Sequence, residues 1–170
     1  MLNIRISHCT DGVVKAIEIS DKDVALAFSP ALENTKPTTA KSGRFIVYGN
    51  GTVTDTTTGL MWTRENVGNG EMKHDDAAQA CKDCHLGGYA DWRLPTRAEL
   101  LTLVDDTRYE PAIDVSAFPN CKSGWYWTST VAAWNSACAW IVNFSNGYAN
   151  YNYRNNKAFV RAVRAAPASR

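Results

Sequence analysis

The stretch SACAWIVNFSNGYANYNYRNNKAFVRAVR, residues 136–164, decides the architecture. Alternating apolar and polar residues, broken at short intervals by turn residues, predict three consecutive antiparallel strands. Asn146-Gly147 is a two-residue type I′ turn signal. A hairpin centred there pairs Ser145 with Tyr148, Phe144 with Ala149, Val142 with Tyr151 and Trp140 with Tyr153. Because the side-chain period of a strand is two, Trp140, Val142, Phe144, Ala149, Tyr151 and Tyr153 share one face, expected to be core. Asn143, Ser145, Tyr148, Asn150, Asn152 and Arg154 share the other. Asn155-Asn156 turns the chain again, so that Ala158, Val160 and Ala162 join the apolar face. The expected product is a sheet with one buried side and one side of Asn, Tyr, Ser and Arg. Those residues make adaptable hydrogen bonds and broad aromatic contacts at low entropic cost, the chemistry of a recognition surface, although an idle solvated strand carries the same types.

Working back from this stretch, WYWTST (125–130) reads as another strand. A helix is expected to begin after Pro95, with Thr96 and Glu99 in capping-box relation and Leu100, Leu101, Leu103 and Val104 on its buried side. An earlier helix is expected from about Asp75 to Cys84, where Ala77, Ala80, Cys81 and Cys84 recur at the helical period, ended by Gly87-Gly88. FIVY, TVTD and LMWT, separated by turns at Asn50-Gly51 and Gly59, give three short strands from Phe45 to Thr63. Strands, two helices and strands again define an α+β domain over residues 44–166 whose two ends meet in one sheet.

The N-terminal segment, residues 1–28, is expected to be a separate small β-hairpin turning at Asp11-Gly12. That turn sets Ile6 opposite Ile17, Ile4 opposite Ile19 and Arg5 opposite Glu18, apolar and opposite-charge pairs that agree on one register. Asp23–Phe28 can add a strand. An isolated hairpin is marginal in water, so its Ile face needs cover, either from the main domain or from another chain in a homo-oligomer. Residues 29–43, with Pro30, Pro37 and scattered Thr and charges, read as a linker.

Across the 170 residues, 18 basic and 17 acidic side chains leave a formal charge of +1, which gives no basic field for nucleic acid or an anionic membrane. No apolar run has the length of a membrane span, and residues 1–20 alternate instead of forming a signal-peptide core. The five cysteines, at 9, 81, 84, 121 and 138, are an odd number, so at least one is free, intermolecular or metal-bound.

Five blocks carry a resemblance: GTVTDTTTGLMW (51–62), GGYADWRLPTRAELLTLVD (87–105), WYWTST (125–130), AWIVNFSNG (139–147) and FVRAVR (159–164). In order and spacing they resemble the DUF1566 family, which is similar to the C-terminal domain of the Legionella collagen-like adhesin. The resemblance implies a C-type-lectin-like fold related to formylglycine-generating enzymes, with ligand taken by the C-terminal sheet and its flanking loops. Members of such families serve as adhesins, as phage host-attachment proteins, or as variable proteins of diversity-generating retroelements. Seven Asn between Asn135 and Asn156 are compatible with the last of these. Within this frame DWRLP is expected to be structural, with Trp92 and Leu94 in the core and Asp91 and Arg93 tying neighbouring loops.

Other motifs suggest chemistry. Cys81-Lys82-Asp83-Cys84-His85 has the C-x-x-C-H form of haem attachment, but it closes an expected helix inside a block matched by a family without haem. Zinc held by Cys81, Cys84, His85 and Cys121 is another reading. Against both stand a disulfide, Cys84 with Cys121 or Cys81 with Cys84, and plain buried thiols. Formylglycine-generating enzymes use two neighbouring cysteines for copper; Cys138 stands alone in the corresponding third of this chain, which speaks against oxidase activity. Calcium through Asp105, Asp106 and Asp114 is an alternative to solvated loop charges, but the EPN or QPD tripeptides of calcium lectins are absent and Trp134-Asn135-Ser136 only approaches WND. The sequence therefore leads to a non-enzymatic, cofactor-free recognition module. Its expected contact set is Trp134, Asn135, Asn143, Ser145, Tyr148, Asn150, Asn152 and Arg154, and its expected partner a bacterial cell-surface glycan or protein. Residues 2–19 are expected to assemble it as a homo-oligomer, a trimer or part of a phage tail fibre. The expected location is a virion or the extracellular surface.

Overall fold

The computed structural model describes residues 43–167 in full, together with the backbone of residues 4–6, 17–19 and 37–42. Strands β1 (Ile4–Ile6) and β2 (Ile17–Ile19) pair antiparallel with Ile4 opposite Ile19, Arg5 opposite Glu18 and Ile6 opposite Ile17, the register that the sequence predicts. The turn between them and the stretch Asp23–Phe28 lie outside the described residues.

A five-stranded antiparallel sheet follows. Strands β3 (Pro37–Ser42), β4 (Phe45–Tyr48), β5 (Thr52–Asp55) and β6 (Leu60–Thr63) are joined by tight turns. Residues 37–42, expected within a linker, thus form the edge strand of this sheet. After β6 come α1 (His74–Lys82), a single 3-10 turn at Leu86–Gly88, and α2 (Arg97–Leu101). Helix α2 starts where its capping box places it: Thr96 Oγ1 accepts from the Glu99 backbone N–H, and the Glu99 carboxylate accepts from the Thr96 backbone N–H. Strands β7 (Trp125–Ala132), β8 (Asn135–Asn143) and β9 (Ala149–Tyr153) make a second, three-stranded antiparallel sheet in that order. The chain then returns to the first sheet, where β10 (Val163–Ala165) pairs with β6, so the two ends of the domain do meet in one sheet.

Two expectations about the 136–164 stretch are corrected. The segment after β9 is not a third strand of the same sheet. It touches the outer edge of β7 through a Phe159–Tyr126 bridge and crosses to β6. Ala158, Val160 and Ala162 are buried as expected, but between the sheets. The β8–β9 hairpin is also shifted by two residues, pairing Trp140 with Tyr151 and Val142 with Ala149. Phe144 explains the shift. Its backbone N–H donates to Gly124 O at 2.8 Å, its carbonyl accepts from Ala112 N–H at 2.6 Å, and its ring meets Tyr126 edge-on at 5.0 Å. Burial of Phe144 against those groups removes it from the ladder and opens a four-residue loop, Phe144–Gly147, between Asn143 and Tyr148. Gly147 takes a φ of +80° there, and a Cβ on it would lie 2.7 Å from Val104 Cγ1, so the position requires glycine on two counts.

The helices lie on opposite faces of the three-stranded sheet. Leu100 and Leu103 pack with Tyr126, Val142 and Phe144 and with Val53 and Trp62 of the first sheet. Ala77 and Cys81 of α1 pack on the other face with Trp127, Ala139 and Ile141, joined by Met61, Trp92 and Leu94. Strand β8 is therefore buried on both faces at its centre. Edge strand β9 projects past both helices, and Asn150, Tyr151 and Tyr153 are all exposed. Asp91 and Arg93 tie loops as expected: Arg164 Nε donates to Asp91 at 2.6 Å, and Arg93 makes two parallel bonds to Glu99 at 2.9 and 2.7 Å.

Candidate ligand-binding face

On the α2 side of the three-stranded sheet, three aromatic rings meet at the surface, Trp134 and Tyr151 exposed and Trp140 half-buried between them. Trp134 sits in the tight turn between β7 and β8 and stands edge-to-face with Trp140, centroids 5.6 Å apart, and with Tyr151 at 5.2 Å. Trp140 and Tyr151, cross-strand partners, complete the triangle at 6.5 Å. Arg97, the first residue of α2, lays its guanidinium over the Trp140 ring, 3.7 Å from the centroid. That helix end is fixed by Arg97 N–H donating to Thr130 Oγ1 on β7 at 2.9 Å. Trp134 and Tyr151 remain 60% and 49% exposed, and among the described residues Arg97 has no acidic partner. The patch thus offers aromatic surface and a cation whose terminal N–H groups have no protein acceptor. Tyr153, on the same face next to Tyr151, is exposed as well. Tyr151 and Tyr153, expected in the core, lie instead on this open face, because α2 packs on β7 and β8 and leaves β9 exposed.

The eight residues expected to form the contact set do not converge. Asn135 and Asn143 end the same strand, about 26 Å apart at the rise of an extended chain. Trp134 and Asn135 lie at one end, where Asn135 Oδ1 accepts from Ala137 N–H at 3.0 Å. Asn143, Ser145 and Tyr148 lie at the other, and their polar groups shape the loop: Asn143 Oδ1 accepts from Ser145 N–H at 2.8 Å and Ser145 O from Glu110 N–H at 3.0 Å. Tyr148 projects from that loop, 71% exposed.

Asn150 and Asn152 have a different task. Their pairing opposite Ile141 and Ala139, flanked by the bonds Asn143 N–H to Tyr148 O and Arg154 N–H to Ala137 O, turns their own backbone groups towards β8. The backbone N–H groups of Tyr151 and Tyr153 then face outward along the free edge. Each is taken by the side-chain oxygen of the preceding residue, Asn150 Oδ1 at 2.8 Å and Asn152 Oδ1 at 2.9 Å.

Arg154 joins the end of β9 to the start of α1. Its Nε donates to His74 Nδ1 at 3.2 Å, its other donors reach Asp75 and Ser136 O, and its carbonyl accepts from His74 N–H. His74 Nε2 lies 3.0 Å from Thr128 O, which assigns the ring proton to Nε2. The bond from Arg154 holds the Asp75 carboxyl below the usual carboxylate range. An open cleft of about 490 Å³ borders this junction, lined by Lys73, Asp75, Asp76, Tyr153, Arg154 and Asn155.

The remaining motifs disperse. Cys121 packs in the other core cluster from Cys81 and lies 3.5 Å from Tyr126 Oη, so the four-ligand zinc set and the Cys84–Cys121 pair are not assembled. His85 Nδ1 donates to Asp83 O at 2.9 Å. Asp105 is engaged by Thr107 and Arg108, and among the described residues no group of three or more His, Cys, Asp or Glu is placed to hold a metal ion. Sequence reasoning missed Arg97, Trp140 and Tyr151. A signal was present in ACAWIV (137–142), an unbroken apolar run that marks a strand covered on both faces and so forbids a wholly wet side.

Fold and face together define a small mixed α+β domain, two antiparallel sheets and two short helices, that displays an aromatic patch with a guanidinium stacked on it. The chain belongs to the family of the Lcl C-terminal domain, formerly DUF1566, whose sequence profile matches residues 51–164. That domain is found in a collagen-like adhesin, a secreted or surface context. No curated protein matches the chain. Among the described residues no helix is long and apolar enough to cross a membrane.

Proposed function

We propose that this domain is a non-catalytic, C-type-lectin-like recognition module that attaches its assembly to a glycan or protein on a cell surface through Trp134, Trp140, Tyr151 and Arg97. The observation that carries the reading is the cluster of Trp134, Trp140 and Tyr151, the first and last exposed, with the Arg97 guanidinium stacked on Trp140 and, among the described residues, without an acidic partner. Exposed rings forgo the roughly 25 cal/mol per Å² that burial returns, and a ligand that covers them recovers it. Trp, Tyr and Arg are also the residues that dominate measured binding hot spots. The rings offer faces to the apolar side of a sugar or to a peptide side chain, while Arg97 supplies donors to hydroxyl or carboxylate oxygens, the part the sequence reading gave to Arg154. Membership in a family found in a collagen-like adhesin supports a surface-adhesion setting more directly than a phage tail or a retroelement variable protein. Homo-oligomerisation through residues 2–19 belongs to the same proposal, because linked copies of a weak site gain avidity without new contacts.

The test is binding of the fluorescently labelled protein to a panel of intact bacterial strains and arrayed glycans. A Trp134→Ala/Tyr151→Ala double variant, verified as folded, is expected to lose more than about tenfold in affinity, the 1.4 kcal/mol or more typical of a hot-spot pair. A Tyr148→Ala variant is expected to bind as the parent does. Undiminished binding by the double variant would move the site away from this face.

A further inference from the structure

Helix α1 ends on a pair of thiols. Cys81 is in its last turn and fully buried, while Cys84, three residues on, is only partly buried, and both belong to the same cluster against Trp92 and Met61. Cys84 N–H donates to Cys81 O at 3.2 Å, which closes a one-turn loop with Asp83 in helical conformation at the helix end. Such an i to i+3 turn holds its end Cα atoms within about 7 Å, inside the reach of a disulfide. Both thiols are free, as are Cys121 and Cys138, each of which is buried elsewhere. The difference in exposure divides the labour: an oxidant reaches Cys84, and Cys81 is shielded.

We propose that Cys81 and Cys84 form a redox-active dithiol that exchanges with small-molecule disulfides, Cys84 acting as the entry thiol and Cys81 as the resolving one. In the first step the Cys84 thiolate attacks one sulfur of the disulfide RS–SR, forming a Cys84–SR mixed disulfide and expelling RS⁻. In the second, the Cys81 thiolate attacks Cys84 Sγ, breaks the bond to SR and expels the second RS⁻. Two electrons pass from the protein to the oxidant, and the two protons leave on the released thiols. Burial, and then the charge on Cys84, push the Cys81 thiol up to about 12, which keeps it from reacting first. Conversion of Cys84 to a neutral mixed disulfide removes the second of those causes. The product is a covalent clasp across the end of α1, beside Leu86 O, to which Trp92 Nε1 donates at 3.0 Å. This inference is independent of the ligand-binding face.

The experiment exposes the full chain to glutathione disulfide, quenches with acid, alkylates, and maps tryptic peptides by mass spectrometry. Trypsin cuts at Lys73, Lys82 and Arg93, so an unmodified chain yields residues 74–82 and 83–93 separately, and a Cys81–Cys84 bond holds them together until reduction. The expected result is that linked pair, with Cys84 alkylating more than about tenfold faster than Cys81 in the reduced protein. In Cys81→Ala, where a small apolar side chain preserves packing, glutathione is expected to remain trapped on Cys84. In Cys84→Ser neither adduct nor link is expected. Separate peptides after oxidation, a glutathione adduct that persists on Cys84 of the parent protein, or faster labelling of Cys81 would each overturn the proposal.

Discussion

Glu99 shows how much one side chain can organise. Its carboxylate caps α2 through the Thr96 N–H at 2.7 Å and accepts both arms of Arg93, and these bonds, Arg93 foremost, hold it down at about 2 against an ordinary value of 4.5. A depressed carboxyl contributes stability that is complete above its unfolded value and disappears as pH falls through the folded one. Glu99→Gln is therefore expected to cost about 1–2 kcal/mol at neutral pH, by loss of charge-assisted bonds, with the difference from the parent shrinking between about pH 4.5 and pH 2. Urea unfolding at a series of pH values reads this directly, and a pH-independent difference would contradict it. Arg161 is the opposite case, a fully buried cation with no ion pair among the described residues. It donates to Thr63 O and Arg64 O and lies 4.7 Å over the Phe118 ring. Arg161→Lys keeps the charge but not the planar fork, and is expected to destabilise by about 2 kcal/mol or more in thermal or chemical unfolding, where a surface Arg→Lys exchange would be near neutral. The Thr96–Glu99 box was legible in sequence because both partners lie within one turn. Arg97, its neighbour, was not, because the ring it covers comes from another element.

Among elements, β9 separates what sequence period can and cannot tell. The alternation of ANYNY placed Tyr151 and Tyr153 on one face and Asn150 and Asn152 on the other, and the two-residue shift in register preserved that division. Which face is wet depends on what lies above and below the strand, and α2, five residues long, packs on β7 and β8. The Asn side chains, read as ligand contacts, instead occupy the outward N–H groups of Tyr151 and Tyr153. An open strand edge is a template for another strand, so these bonds keep β9 from pairing further. Asn150→Ala/Asn152→Ala is expected to leave ligand binding intact and to promote concentration-dependent association, seen by sedimentation velocity as a shift to larger species at high loading. A variant that stays as dispersed as the parent would show that the exposed rings, and not the amides, control the edge.

At the scale of the whole molecule, both core clusters among the described residues run from Phe45 to Val163 and join the two sheets to the helices between them. A fragment beginning at Pro37 is expected to unfold cooperatively at a temperature close to that of the full chain, while losing the self-association attributed to residues 2–19; calorimetry and sedimentation would check the two halves of that statement separately. Helix positions, the strands from Phe45 to Thr63 and the meeting of the ends in one sheet were legible because short-range turn and cap signals bracket those elements. The crossing of residues 154–162 from one sheet to the other was not, because Ala158, Val160 and Ala162 alternate as they would in a strand and nothing local names the sheet they leave. The placement of β3 has a mechanical consequence. Among the described residues it is the outermost strand of its sheet and pairs only with β4, and its register slips between Pro37 and Lys41. Tension drawn through the preceding residues enters at Pro37, the open end of the β3–β4 hairpin, and so unzips bonds one at a time instead of shearing them together. Peeling six residues releases about 20 Å of slack before the load reaches Phe45 and the core. A domain clamped to a surface through the aromatic face of its other sheet would yield first as a short spring, with its grip still intact.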